Sequence, residues 1–470
     1  MTNISDSMIP LSRSAGSSTP LRVIALTDSD SYVKWGAALL SVMPVEWNTS
    51  LLVVETTKLP SADQLAAALD GSGIREQDIA VHSFSKVASA VASERPDVVV
   101  IATIGPLAAL LAHTVVEACE TRPVIISGVP GIGLPAQRKA LVFRSQADMI
   151  VVHSKREIVR FGEVAAENGF EHVFGLATLP FLAERSTKPP VGTDIIFAAQ
   201  AIVPPTRAQR TMLLDWLVEL AKRVPERRVV IKVRARPGEA QTHFENNSFF
   251  ELHALLGEDA PKNLVVEGGP MADHLARAGA LVTVSSTAAL EAIAAGVPVI
   301  ALNDFGVSRR MINKVFIGSG LLGSAADLIE SRFRVADEQW LDENYFHAKA
   351  DNDWIDQLLE LVRRNRAGEL PARVRHERGR GGTFRLAWDR KRVLGRHDHT
   401  FSGYLALALG TPIRYLIMAV KDLEILAPQI VAVDNHTALV EAVPEPVPES
   451  VAEQVAEPVA QLTVVAGATV

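Results

Sequence analysis

Ten short apolar runs rich in Val and Ile recur along the chain, and this rhythm limits what it can fold into. Five lie in the first 160 residues: LRVIAL from Leu21, LLVVE from Leu51, VVVIAT from Val98, PVIIS from Pro123 and MIVVH from Met149. After residue 190 come DIIFAAQ, VVIKV, LVVEGG, LVTVS and VPVIAL, starting at Asp194, Val229, Leu264, Leu281 and Val297. The runs are apolar throughout rather than alternating, which predicts strands covered on both faces, as in a parallel sheet. Helical segments lie between them, such as SADQLAAALDGSG from Ser61, with a Ser cap and a Gly stop, and AQRTMLLDWLVELAKRV from Ala208. Strand–helix alternation of this kind predicts α/β, doubly wound, Rossmann-like folding. The polar stretch AERSTKPPVGTD from Ala183 breaks the rhythm with Pro-Pro. Two domains are therefore expected, at 21–186 and 187–345.

The rest of the chain is read from composition and charge. One cysteine in 470 residues excludes a disulfide scaffold and a Cys-based zinc cage, and fits a reducing, cytoplasmic setting. Residues 1–20 are Ser-rich and polar, with no charged-then-apolar order; a disordered arm is expected, and no secretory signal. No run approaches the ~18 apolar residues of a membrane span. The formal net charge of -7 hides two opposite blocks. Residues 363–396 carry twelve Lys/Arg against three acids, a net of +9, whereas 431–470 carry six acids and no base. The acidic stretch, rich in Val, Ala, Glu and Pro, is expected to be a disordered tail. Residues 346–430 are expected to form a helical and basic extension. Its +9 block adjoins the apolar stretch 401–420, which fits an anionic membrane face; the plainer alternative is that 401–427 packs on the two domains. Nucleic acid is not expected as a partner, because aromatics are sparse in the block and no zinc or RNA-recognition motif is present.

The chemistry concentrates at LVTVSSTAALEAIAAGVPVIALNDFG, from Leu281. A buried strand ends at Ser285, Ser286 and Thr287, where a small-residue helix begins. A helix start offers unpaired N–H groups and partial positive charge, which suit a phosphate, and three hydroxyls stand at the same place. Glu291, one turn in, is placed to accept hydrogen bonds from ribose hydroxyls. The competing reading, with about equal weight, is an ordinary helix cap. Lys232, Arg234 and Arg236 leave another strand near its C-terminal end, where α/β ligands bind; pairing with neighbouring acids is the alternative. Asp28 and Asp30 follow the first strand and are candidates for a general base, or for a local cap. Gln200 ends the first strand of the second domain, with Arg207 and Arg210 entering the next helix. The glycines from Ser127 to Gly133 lack dinucleotide G-x-G-x-x-G spacing, so no NAD site is expected, and Arg138, Lys139 and Arg144 after them read as solvated charges. Ser154 and Glu157 read as a capping box. No metal motif appears, and neither metal nor other cofactor is expected.

Ser-Ser-Thr-x-x-x-Glu-x-x-x-x-Gly-x-Pro-Val, in the second of two α/β domains, resembles the donor-nucleotide site of GT-B glycosyltransferases. It is also similar to capsule polymerases, glycerophosphotransferases and non-hydrolysing sugar-nucleotide 2-epimerases. The overall likeness is to actinobacterial glycosyltransferases of surface or capsular polysaccharide loci, over about residues 20–345. It implies a metal-independent, GT-B-like transferase with a nucleotide-sugar donor and a polysaccharide or lipid-linked acceptor, cytoplasmic or peripheral at the inner membrane face. In such enzymes the helix start holds the donor phosphate, the Glu meets the ribose, and the region of Asp304 touches the donor sugar. Capsule sialyl- and Kdo-transferases carry a Lys-x-His-Pro-like element where this chain has Arg236 in place of the His; that likeness tilts the donor towards a CMP-activated acid sugar. A 2-epimerase of the same fold, or a non-catalytic relative that only binds, are the alternatives.

Overall fold

The computed structural model describes residues 20–179, 182, 184–233, 247–373 and 382–413. Arg234, Arg236, part of the basic block and the acidic tail lie outside the described residues. Two parallel sheets form the frame. The first contains β1 (Arg22–Thr27), β2 (Asn48–Val54), β3 (Ala80–His82), β4 (Val98–Ala102), β5 (Val124–Gly128), β6 (Met149–Val152) and β7 (Val173–Leu176). Its strand order is β3-β2-β1-β4-β5-β6-β7. The second contains β8 (Asp194–Ala198), β9 (Val229–Lys232), β10 (Leu264–Glu267), β11 (Ala278–Thr283), β12 (Val299–Leu302) and β13 (Leu322–Gly323), in the order β10-β9-β8-β11-β12-β13. The chain is thus α/β, with two Rossmann-like, doubly wound domains.

The apolar runs are continuous because both faces of each sheet are covered. In β4, Val98, Val100 and Ala102 enter one apolar layer, while Val99 and Ile101 enter the other. In β11, Leu281 and Val282 divide in the same way. Each sheet reverses its winding once, between β1 and β4 and between β8 and β11. The helices diverge at such points and leave a crevice at the carboxyl ends of the strands.

Part of the stretch expected as an extension belongs to the first domain. The helix Trp354–Arg366 buries Trp354, Leu358, Leu361 and Val362 in the layer that contains Val98 and Val100. Asp353, just before it, accepts the Leu176 N–H at 2.7 Å and so seals the end of β7. The spacing 354, 358, 361, 362 gives the helix one apolar stripe that must be buried, and the sheet face supplies the place. The helix Gly382–Leu394 then packs on the helix Gly105–Ala118 of the same domain. Among the described residues, no helix is long and apolar enough to cross a membrane.

One of the ties between the two domains is the loop after β5. Ile132 and Leu134, after β5, pack into the core layer of the second domain. Glu157 fixes that loop: its carboxylate accepts the N–H of Gly133 at 2.7 Å, the N–H of His153 at 2.8 Å and the hydroxyl of Tyr345 at 2.6 Å. Ser154 does cap the Glu157 N–H at 3.0 Å, but the reciprocal half of the expected capping box is absent, because the carboxylate serves these three donors instead.

Candidate active site

At the winding reversal of the second sheet, β8 and β11 are bridged by side chains. The Gln200 Oε1 accepts both the N–H of Ser285 at 2.9 Å and its hydroxyl at 3.0 Å. Arg210, almost fully buried, donates to the carbonyls of Pro204, Gln200 and Ala201 and stiffens the loop that carries Gln200. That side chain therefore braces the loop from beneath rather than lining a cleft. Ser286 gives its N–H to Thr283 Oγ1 at 3.0 Å and accepts the Ala288 N–H at 3.2 Å, which leaves its hydroxyl proton free to donate elsewhere. Thr287, exposed, opens the short helix Ala288–Ala294. Of the three hydroxyls grouped by the sequence, Ser285 is committed to Gln200, while Ser286 and Thr287 stand nearest to open space.

The first domain faces this turn. A Cβ placed on Gly131 would lie 3.5 Å from the Thr287 methyl group, so the loop after β5 closes over the helix start. Glu291, one turn on, is partly buried. Burial pushes its carboxyl up from the ordinary range, and the ammonium groups of Lys34 and Lys232 pull it back down. Lys232 ends β9 in the second domain, and Lys34 lies in the helix Asp30–Ser41 of the first. The carboxylate is thus within electrostatic reach of cations contributed by both domains. The sequence pointed to Lys232 and Glu291 but gave no role to Lys34; its place one turn after Asp30 on the same helix face was the available signal.

The carboxyl end of β1 holds a second polar group. Asp28 is fully buried and accepts the Ser29 hydroxyl at 3.1 Å and the Ile104 N–H at 3.5 Å, which closes the reversal between β1 and β4. Burial raises its carboxyl to about 6, against the pull of those bonds and of Lys58. Lys58, in turn, is lowered by burial and supported by the charges of Asp28 and Asp30. Asp30 begins the helix and is half-buried, so of the two it is the one a ligand can reach. Lys58 follows β2, far from Asp28 in sequence, and only the order β2-β1-β4 brings it near.

Arg144, expected as a surface charge, is buried. It donates to Ser127 Oγ at 3.0 Å, the Thr103 carbonyl at 3.3 Å and the Tyr32 hydroxyl at 3.5 Å, tying together the ends of β5 and β4 and the helix after β1. Asp304, after β12, is exposed and accepts the Ala325 N–H at 2.9 Å, so one carboxylate oxygen anchors the next helix. No group of three His, Cys, Asp or Glu side chains suited to a metal ion occurs among the described residues.

Solved structures with a similar outline include one of MnaA from S. aureus with UDP, at 10% identity and a TM-score of 0.46, covering 75% of this chain and all of that one. The UDP-GlcNAc 2-epimerase from Neisseria meningitidis, bound to UDP-GlcNAc, shares 14% identity with a TM-score of 0.43, over 74% of this chain and all of that one. The lipopolysaccharide outer core galactosyltransferase WaaB, in its apo form, shares 13% identity with a TM-score of 0.42, over 72% and 99% of the two chains. No curated protein matches the chain. The family model described as "Putative glycosyltransferase (DUF6716)" matches residues 23–361, which include both sheets and the helix that returns to the first, and the chain belongs to that family.

Proposed function

We propose that the chain transfers a sugar from a nucleotide-sugar donor to an acceptor hydroxyl, with the donor held mainly by the second domain. The observation that carries this reading is the meeting of the Ser286–Thr287 turn with the loop at Gly131, one helical turn from Glu291, whose carboxylate feels the charges of Lys34 and Lys232. A nucleoside phosphate needs cations and N–H or O–H donors at its phosphate, and an acceptor for its ribose hydroxyls. Lys232, Ser286 and Thr287 supply the first, with Lys34 reaching from the other domain, and Glu291 supplies the second. Ser285 and Gln200 hold the turn in shape.

In the proposed reaction the acceptor oxygen attacks the anomeric carbon, the bond from that carbon to the donor phosphate breaks, and the acceptor proton passes to a carboxylate. Asp30 is the accessible base, and Asp28 is its buried neighbour, with Lys58 in electrostatic reach of both. Charge on the leaving phosphate is met by protein donors rather than a bound metal. Asp304 stays a candidate contact to the donor sugar through the carboxylate oxygen that does not bond Ala325. Arg234 and Arg236 follow within four residues of Lys232 and are proposed to extend the cationic side, with a CMP-activated acid sugar as the first donor to test. The acceptor is a surface polysaccharide or its lipid-linked precursor.

A thermal-shift panel with CMP, UDP, GDP, CDP and UMP tests the site, since a ligand that binds only the folded chain raises its melting point. One nucleotide should stabilise the wild type, and Lys232→Ala together with Ser286→Ala should remove that shift. No shift with any nucleotide would overturn the reading. Nucleotide release from a sugar donor in the absence of any acceptor would replace transfer with an epimerase-like reaction.

A further inference from the structure

We propose that the helical segment 401–413, with the cations beside it, docks the protein on the surface of an anionic lipid bilayer. This goes beyond the reaction assigned to the cleft and does not depend on it. The segment, FSGYLALALGTPI, contains no charged residue in thirteen positions. Phe401, Leu405, Leu409 and Ile413 recur every four residues, so they form one stripe along the helix. All four are open to solvent, at 81%, 47%, 52% and 53%, and Tyr404 beside them is 51% exposed. Other exposed apolar side chains, such as Val45, Val191 and Val335, lie far apart along the chain, whereas these four are contiguous on one helix face, and a contiguous apolar stripe marks a surface made to meet something.

The segment is not loosely attached. Its opposite face is seated on the helix Gly382–Leu394: Ala406 is buried with Ala387 and Trp388, and the Trp388 ring lies directly against Gly410. The Lys391 ammonium stands 3.3 Å from the centre of the Tyr404 ring and donates to the Asp398 carbonyl at 2.6 Å. Asp398 in turn accepts the Thr400 N–H at 3.0 Å at the start of the segment. The outward direction of the stripe is therefore fixed by contacts on its inner side.

Cations lie near both ends of the segment, two of them paired with acids, Arg390 with Asp398 at 3.1 Å and Arg385 with Asp389 at 3.2 Å. Arg390 bonds the hydroxyls of Thr400 and Ser402, on either side of Phe401. Arg385 and Arg392 lie over the Trp388 ring, next to Gly410, at 4.8 and 4.6 Å. Residues 382–413 carry five Lys/Arg against two Asp, a net of +3. A membrane interface with anionic headgroups satisfies both parts: the stripe enters the acyl boundary and the guanidinium groups remain at headgroup level. A protein partner would need an apolar groove ringed by acids to do the same.

Co-sedimentation of the full chain with vesicles tests this. Vesicles of phosphatidylglycerol and phosphatidylcholine should bind it, and binding should fall steeply with added salt and be weak on phosphatidylcholine alone. Leu405→Glu with Leu409→Glu should lower partitioning by about ten-fold or more. Arg392→Gln with Arg396→Gln, which leaves the stripe intact, should lower it by about five-fold for each cation lost. Melting points should stay at the wild-type value, since all four side chains are exposed. No binding to the anionic vesicles, or binding unchanged in both pairs of variants, would overturn the proposal. So would a Glu pair that melts well below wild type, which would show the stripe covered by residues after 413. A Glu pair that converts a dimer to a monomer without changing vesicle binding would assign the stripe to a second copy of the chain instead.

Discussion

The hydroxyl of Tyr345 donates to the Glu157 carboxylate at 2.6 Å, and this bond joins the segment leaving the second domain to the loop that closes over the helix start at Thr287. Burial keeps Tyr345 protonated, and so a donor, by raising it well above its ordinary value. Tyr345→Phe keeps the ring and removes only that donor. A buried hydrogen bond to a carboxylate is worth about 1.5–3 kcal/mol, and urea unfolding should show a loss in that range without a change in slope. The nucleotide-dependent thermal shift should shrink as well, since Gly133, two residues after Gly131 in the same loop, is held by that carboxylate. A full-sized shift in the variant would separate the clasp from the ligand site.

Gln200 offers a sharper test of the second-domain turn. Its one side-chain oxygen takes two donors from Ser285. Gln200→Leu preserves bulk and leaves a buried N–H and a buried hydroxyl without their acceptor, at a cost of about 1–3 kcal/mol. The turn that presents Ser286 and Thr287 then loses its brace, so nucleotide affinity measured by calorimetry should fall, by about ten-fold where re-ordering the turn on binding costs about 1.4 kcal/mol. Gln200→Glu, which keeps an oxygen acceptor, should recover part of the stability. If it recovers none, the acceptor role is wrong.

The two sheets were legible because burial on both faces writes a continuous Val/Ile run, and the cap and stop residues around Ser61 and Gly296 were equally plain. Of the edge strands only β10 was legible: β3 has three residues, mostly exposed, β13 has two, and β7, VFGL, is interrupted by a glycine, so none of these three carries a Val/Ile run. The helix from Trp354 was visible as an amphipathic segment, but its seat is set by Gly175 and Leu176, far away in sequence. In the site, residues on one turn, such as Ser286 and Glu291, could be grouped from spacing alone. Lys58, Tyr32 and Arg144 come together only through strand order, and a single arginine after a glycine-rich loop gives no sign of whether it will be buried.

Asp28 makes stability depend on pH in a defined direction. Its carboxyl is raised from 3.8 to about 6, mainly by burial. An acid that holds its proton more tightly when folded favours the fold below about pH 4, and this contribution is lost as pH rises through about 6. A shift of that size corresponds to about 3 kcal/mol at most. Asp28→Asn cannot ionise, so between pH 4 and pH 7.5 the variant should gain on the wild type by up to that amount. Urea midpoints at the two pH values measure it, and a difference that stays constant with pH would mean Asp28 ionises normally in the fold. If Asp28 also tunes the base at Asp30, the wild-type rate should rise through the same window, and that rise should be absent in Asp28→Asn.

Glu291 is the residue where the ribose assignment can be separated from mere charge. The carboxylate feels the charges of Lys34 and Lys232, so Glu291→Gln removes one negative charge from beside two cations. On electrostatic grounds alone that change should strengthen the binding of any phosphate. Loss of a charged acceptor for ribose hydroxyls acts the other way, at about 1.5–3 kcal/mol, which is ten-fold or more in affinity. The two effects part company with a 2′,3′-dideoxynucleotide, which keeps the phosphates and lacks the hydroxyls. Calorimetry should find Glu291→Gln weaker than wild type by about ten-fold for the ribonucleotide, and equal or tighter for the dideoxy form. An equal loss for both ligands would assign Glu291 to holding the helix in place, and a gain for both would leave phosphate attraction as the only role of the charge.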